Sequence, residues 1–280
     1  MGVILAKSVP VDGDVVGLEW TISDFAGLAV LVAVIALGQA QHAADIIADL
    51  QPGGAAYIEA DLIDDAKAQM VISGSTPEQR KAARQRRDGF LFECISWIAA
   101  RQAGDDRTFL KDPHLDATTH GLDGLVLQLA PKKAEILNAT ICEDKCTSYP
   151  RKKFRGEVLR TFAEHHRNKR ARDLVANAAE LIRDSGLRGT AAVLAASRVT
   201  EKDVRSYRAA LTTTSLGKEG RQKLFAGYNE LDGITQAQRI GAMMPLDEPL
   251  RDWFQKLAEA VIHSLEDFMD TQDEEGVNDV

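Results

Sequence analysis

Cysteine is scarce in this sequence. Cys94, Cys142 and Cys146 are the only three in 280 residues, and no two form a CxxC pair. An odd count without that spacing argues against a disulfide scaffold or a zinc ribbon and makes reduced thiols the expectation. Long apolar runs are lacking too. The longest, AGLAVLVAVIALG from Ala26 to Gly38, is too short to span a bilayer. It has neither a basic leader nor a cleavage site, so it reads as a buried helix of a soluble, cytoplasmic protein with no membrane partner. The sequence contains no internal repeat, no low-complexity linker, no P-loop GxxxxGK[ST], and no zinc finger or other base-reading module. Positive charge is in deficit: the formal net charge is −8, so any affinity for nucleic acid has to rest on a local cluster.

What is present is ordinary globular composition, 45% hydrophobic and 27% charged, enough for one large domain or two small ones. The first 20 residues read as strand or irregular. Ser23 is placed to cap a helix reaching about Leu50, QPGG (Gln51 to Gly54) breaks it, and a second helical stretch runs to about Val71. Ser75 and Glu78, three apart with Pro77 between them, fit a capping box opening a helix to about Ala103. RTFL (Arg107 to Leu110) is a short strand. GLVLQLA and AEILNATIC, separated by Pro131–Lys133, read as a β-hairpin. A long helical segment ends at Gly186, GTAAVLAAS reads as another strand, and KLFAGYNE is a possible strand in a C-terminal part that otherwise looks helical. A last amphipathic helix runs from about Pro249 to Met269. The expected fold is therefore α/β, a central mixed sheet flanked by helices. Residues 1–73 form a mainly helical N-terminal region and 74–200 the core. Residues 201–280, mainly helical, complete the core and end in an acidic tail, 266–280.

The chemistry gathers on the hairpin. Residues two apart share a strand face, which aligns Leu137, Ala139, Ile141, Glu143 and Lys145 on one strand and Asp123, Leu125, Leu127 and Leu129 on the other. With the turn near Pro131–Lys133, antiparallel pairing sets Asp123 opposite a residue close to Ile141 or Glu143. Both stripes turn from aliphatic to charged at the same end. Two carboxylates that close repel unless a cation lies between them, and oxygen-only ligands suit Mg²⁺ or Mn²⁺. A lysine beside the ion can position water or offset charge on a phosphate. Glu93, the single charge in GFLFECISWIAA, is a third carboxylate able to reach the same ion.

Helix with Glu93, then GLDGL, then E-x-K at a strand end, then a basic helix: this order resembles the PD-(D/E)XK nuclease superfamily. The resemblance covers roughly Ser75 to Ser197. It sets Asp123 on the motif aspartate, Glu143 and Lys145 on the E-x-K, and Glu93 on the first-helix glutamate. It implies a restriction-endonuclease-like core and Mg²⁺-dependent hydrolysis of phosphodiester bonds. Leu122 stands where the motif has Pro. The layout HGLDGL…EDK between helical flanks also resembles the HamA/AbpA-type anti-phage nucleases, which implies a helicase partner supplying any ATP-driven step. From Arg151 to Arg172 nine Lys or Arg stand against two acids. Lys152, Lys153, Arg155 and Arg160 are the nearest candidates to hold a DNA backbone without reading its sequence.

Plainer readings stand beside each of these. Glu143 and Lys145 also fit a surface ion pair, Glu93 a structural helix residue, and the basic stretch a solvated helix face. Asp116 rivals Asp123. His114 and His120 with Cys142 or Cys146 match no common zinc spacing. The alternatives to a metal-dependent DNA endonuclease are a non-catalytic DNA- or helicase-binding adaptor, or a repair or restriction nuclease of the same fold.

Overall fold

The computed structural model describes residues 2–11, 14–115, 122–131 and 135–277, with side chains to 270. Asp116, His120 and the turn residues Lys132 and Lys133 lie outside the described residues, as does the end of the acidic tail. Seven strands make one mixed sheet: β1 (Ile4–Val9), β2 (Val16–Ile22), β3 (Thr108–Leu110), β4 (Gly124–Leu129), β5 (Ile136–Lys145), β6 (Arg205–Thr213) and β7 (Arg239–Pro245). Their order is β1-β2-β7-β6-β5-β4-β3. Strands β5, β6, β7 and β2 run parallel, and hairpins β1–β2 and β4–β5 together with β3 add antiparallel edges. The protein is α/β, and all three stretches of the chain contribute strands to the one sheet.

Helices cover both faces. On one lie α1 (Phe25–Ala36), α2 (Ala40–Ile47), α3 (Ala60–Met70), α4 (Pro77–Ala103) and, from the far end of the chain, α10 (Leu250–Val277). Leu31, Val34, Phe92, Ile95, Phe254 and Leu257 from these helices form a core with Trp20, Ala210 and Met244 of the sheet. The other face carries α5 (Pro150–Lys153), a π-helical turn over Phe154–Val158, α6 (Leu159–His166), α7 (Ala171–Asp184), α8 (Gly189–Ser197) and α9 (Lys218–Leu224). Here Phe154, Val158 and Phe162 pack on Leu125, Leu127, Ile141 and Leu211. These three helical residues are four apart, and an α-helix of 3.6 residues per turn drifts about 40° at each such step. The wider π turn takes up that drift and keeps all three on the sheet.

Several sequence expectations need correcting. Asp24, not Ser23, caps α1, its carboxylate accepting the Gly27 N–H at 2.9 Å, while the Ser23 hydroxyl donates to the Gly2 carbonyl. The helix expected to reach Leu50 breaks after Ala36, where Gly38 takes φ +77°. The box opening α4 is Thr76 with Gln79, one residue beyond the Ser75–Glu78 pair. GTAAVLAAS is the helix α8: four of its nine residues are alanine, whose helix preference outweighs the β-branched Thr190 and Val193. KLFAGYNE is helix and turn, not strand. The long segment ending at Gly186 divides at Asn168, held at φ +58°.

The largest miss is the pair of central strands β6 and β7 in a part that reads as helical. Every residue of β6 is buried, Arg205 and Arg208 included. Arginine inside a buried parallel strand breaks the apolar run expected there. Hydrogen bonds offset part of that cost, although the Nε atoms of Arg208 and Arg239 have no partner. Arg205 donates to the carbonyls of Val199 and His165 at 2.5 and 2.6 Å and to Asn168, and Arg239 donates to the Leu231 carbonyl at 2.7 Å.

Candidate active site

The hairpin forms as the alternation requires. Gly124 pairs with Cys142 and Leu125 with Ile141, so continuing the ladder one step sets Asp123 opposite Glu143. Asp123 sits in the bend just before β4. One expectation on this strand fails: the register shifts between Gln128 and Leu129, Ile136 takes the inward place, and Leu137 is half exposed. The bulge lies at the turn end and leaves the charged end in register.

At that end Asp123, Glu143 and Lys145 meet. The Lys145 ammonium lies 2.5 Å from Asp123 Oδ2 and 3.0 Å from Glu143 Oε2, and the Asp144 N–H donates to Asp123 Oδ2 at 3.3 Å. The three side chains differ in their access to water. Glu143 is 6% exposed, Lys145 23% and Asp123 29%. Burial, with Asp123 adding to it, pushes the Glu143 carboxyl up to about 7. Burial alone would lower the Lys145 amine, yet Glu143 and Asp123 outweigh it and raise it.

Asp144, the middle letter of E-x-K, points to the opposite face with Cys142, toward α4. Its carboxyl is buried, its Oδ1 accepts no hydrogen bond and lies 4.0 Å from Arg208 Nη2. Burial, only partly offset by Arg208, pushes this carboxyl up to about 7. Arg208 in turn donates to Ser96 Oγ of α4 at 2.5 Å and lies 5.6 Å from the Trp20 ring. Sequence reasoning missed both residues. Alternation alone turns Asp144 to the strand face opposite Glu143, where it forms part of the cleft wall, but Arg208 lies in a strand that went unrecognised.

Glu93 projects from α4 into a cleft of about 610 Å³ whose walls also include Asp123, Asp144, Lys145 and His114. Its Oε1 accepts from the backbone N–H and from Nδ1 of His114, each at 2.9 Å. His114 Nε2 faces the Lys111 ammonium at 2.7 Å, which makes Nε2 the acceptor and Nδ1 the donor. The fold thus brings Asp123, Glu143 and Lys145 into direct contact. It sets Glu93 on the same cleft, tied to His114 rather than to the other carboxylates. Among the described residues no three His, Cys, Asp or Glu side chains converge to hold a metal ion. The donor set still fits Mg²⁺ in kind: two facing carboxylates that share one ammonium, with no soft ligand against them. Cys142 is buried beside Arg208 on the neighbouring strand, and the hydrogen bonds of the His114 ring go to Glu93 and Lys111.

The basic stretch is not a single helix face. Lys152, Arg155 and Arg160 are exposed, whereas Lys153 is paired to Glu157 at 2.5 Å and Arg170 to Glu164 at 3.6 Å. No helix among the described residues is long and apolar enough to cross a membrane.

Comparison with known proteins gives no match: no family model, no curated protein and no solved structure matches this chain.

Proposed function

We propose that this chain is a metal-dependent DNA endonuclease with a restriction-endonuclease-like core, hydrolysing phosphodiester bonds with little sequence specificity. The observation that carries the reading is the meeting of Asp123, Glu143 and Lys145 where β4 and β5 leave the sheet, at a cleft that α4 supplies with Glu93. Asp123 and Glu143 are the residues to hold Mg²⁺ or Mn²⁺, and Glu93 shares the cleft with Asp123, Asp144 and Lys145, while Glu143 joins it through its contact with Lys145. A divalent ion held there would supply a water of lowered pKa and would polarise the scissile phosphate. Lys145, kept charged by its two carboxylate neighbours, is placed to hydrogen-bond an attacking water and to offset charge growing on the phosphate oxygens. Its strand position fixes the ammonium, so little is lost in ordering it during the reaction. His114 fixes the Glu93 carboxylate from behind.

Lys152, Arg155 and Arg160 extend from the same end of β5 and suit a phosphate backbone. The resemblance to HamA/AbpA-type nucleases, together with the missing P-loop, favours an effector of cytoplasmic anti-phage defence working with a helicase. A second reading, a non-catalytic DNA- or helicase-binding adaptor, draws on the Asp123–Lys145–Glu143 triad being already charge-paired without a third carboxylate.

The two separate in one experiment. Plasmid is incubated with Mg²⁺ and either the natural chain or its Glu143→Ala/Lys145→Ala variant, with and without a helicase encoded beside it. Loss of cleavage by about a hundredfold or more in the variant is expected. Equal cleavage by both proteins refutes the nuclease reading, and full biological effect of the variant establishes the adaptor.

A further inference from the structure

Four residues beyond Lys145 stands Tyr149, at 73% the most exposed large apolar side chain among the described residues. An aromatic ring is normally buried or half-buried, and this one is held out in water by a pinned loop. The Thr147 N–H donates to Thr212 Oγ1 at 2.8 Å, the Thr212 hydroxyl donates back to the Thr147 carbonyl at 2.9 Å, and the Tyr149 N–H donates to Thr147 Oγ1 at 3.0 Å. Pro150 follows and opens α5. The ring and Pro150 form an open hollow of about 700 Å³ with Arg151, Lys152, Arg155 and Gly156. No carboxylate pairs with Arg151, Lys152 or Arg155 among the described residues, and Glu157, the nearest acid along the helix, is taken by Lys153.

An exposed ring carried on a pinned backbone beside three unpaired cations has a specific complement: a flat base to stack and phosphates to neutralise. Bases inside a duplex are stacked on each other and do not reach such a ring. We propose that Tyr149, with Lys152 and Arg155, forms a platform for an unpaired strand of DNA, on which one base stacks while its backbone runs toward Lys145. Four residues of extended chain span at most about 14 Å, so the stacked base lies within a few nucleotides of the carboxylates. This assignment takes its substrate class from the nuclease reading, naming single-stranded or unwound DNA rather than intact duplex as what enters the site.

Binding tests it without cleavage. Fluorescence anisotropy is measured in chelator with a labelled oligothymidine strand, the same sequence as blunt duplex, and the matching RNA. The natural chain is expected to bind the DNA strand about tenfold or more tighter than duplex. Tyr149→Ala loses about tenfold on the single strand, with duplex binding changed less than about twofold, and Tyr149→Phe recovers the loss. Lys152→Ala/Arg155→Ala weakens single-strand binding and lowers its salt slope by about 1.4. Equal losses on both DNA forms, no loss in Tyr149→Ala, or tighter binding of RNA overturns the assignment. Single-strand binding that depends on Tyr149 in a chain that never cleaves would retain the platform and discard the nuclease. Cleavage that is lost with Glu143 and Lys145 but binding indifferent to Tyr149 would do the reverse.

Discussion

Glu143 and Asp144 are consecutive residues whose side chains go to opposite faces of β5, one to Lys145 and one to Arg208, and both carboxyls titrate near 7 rather than at their ordinary 4.5 and 3.8. Burial dominates each shift, so the native chain holds these protons more firmly than the unfolded chain does. Between about pH 4 and 7 the folded state therefore binds more protons than the unfolded one. Stability attributable to the pair falls as pH rises through that window, then levels off. The slope is at most about 1.4 kcal/mol per pH unit for each carboxyl. Urea midpoints across the window test this, and Glu143→Gln should flatten the curve. A midpoint that climbs from pH 4 to 7 in the natural chain and is unchanged by Glu143→Gln would show that the pair is not desolvated as described. At this scale the acids and the lysine were readable, since period-two alternation and a single hairpin turn fix which side chains meet. Arg208 was not, because its role depends on a strand partner far along the chain.

Element by element, legibility followed how local the forming forces are. Helix α4 was correct to both ends within a residue, because Pro77, Thr76 and Gln79 start it and the apolar stretch through Ala99 holds it down. Its fixation to α10 was invisible. Asp88, fully buried on α4, is paired with Arg87 at 2.8 Å and with Arg251 of α10. Removing Asp88 strands a buried guanidinium, so Asp88→Ala is expected to cost about 3–5 kcal/mol in equilibrium urea unfolding. Asp88→Ala/Arg87→Met should recover part of that loss, because the uncompensated charge goes with it. Strands β6 and β7 escaped notice for the same reason in reverse. RSYRAALTT offers neither alternation nor an apolar run, and what makes it a strand is the pair of neighbours that bond it on both edges.

For the whole molecule the decisive quantity is charge distribution rather than charge. A chain of net −8 concentrates nine cations against two acids between Arg151 and Arg172, beside the carboxylate end of the sheet. Binding to DNA should therefore weaken steeply with salt, and each phosphate-contacting cation removed should reduce the logarithmic slope by about 0.7 on single strands and about 0.9 on duplex. Titrations of Arg160→Ala over a range of salt concentrations check this; an unchanged slope would assign Arg160 to the solvent only. The sequence by itself determined the α/β class, the β4–β5 hairpin, the placing of Asp123 opposite a residue close to Ile141 or Glu143, and the basic stretch that follows, because each depends on residues close in the chain and on the two-residue period of a strand. Tertiary structure alone decided that β6 and β7 lie at the centre of the sheet, that Glu93 reaches the cleft already bonded to His114, that Asp144 faces Arg208, and that Tyr149 stands in water. Those outcomes turn on contacts between residues tens to hundreds of positions apart, whose energies no local pattern in the chain records.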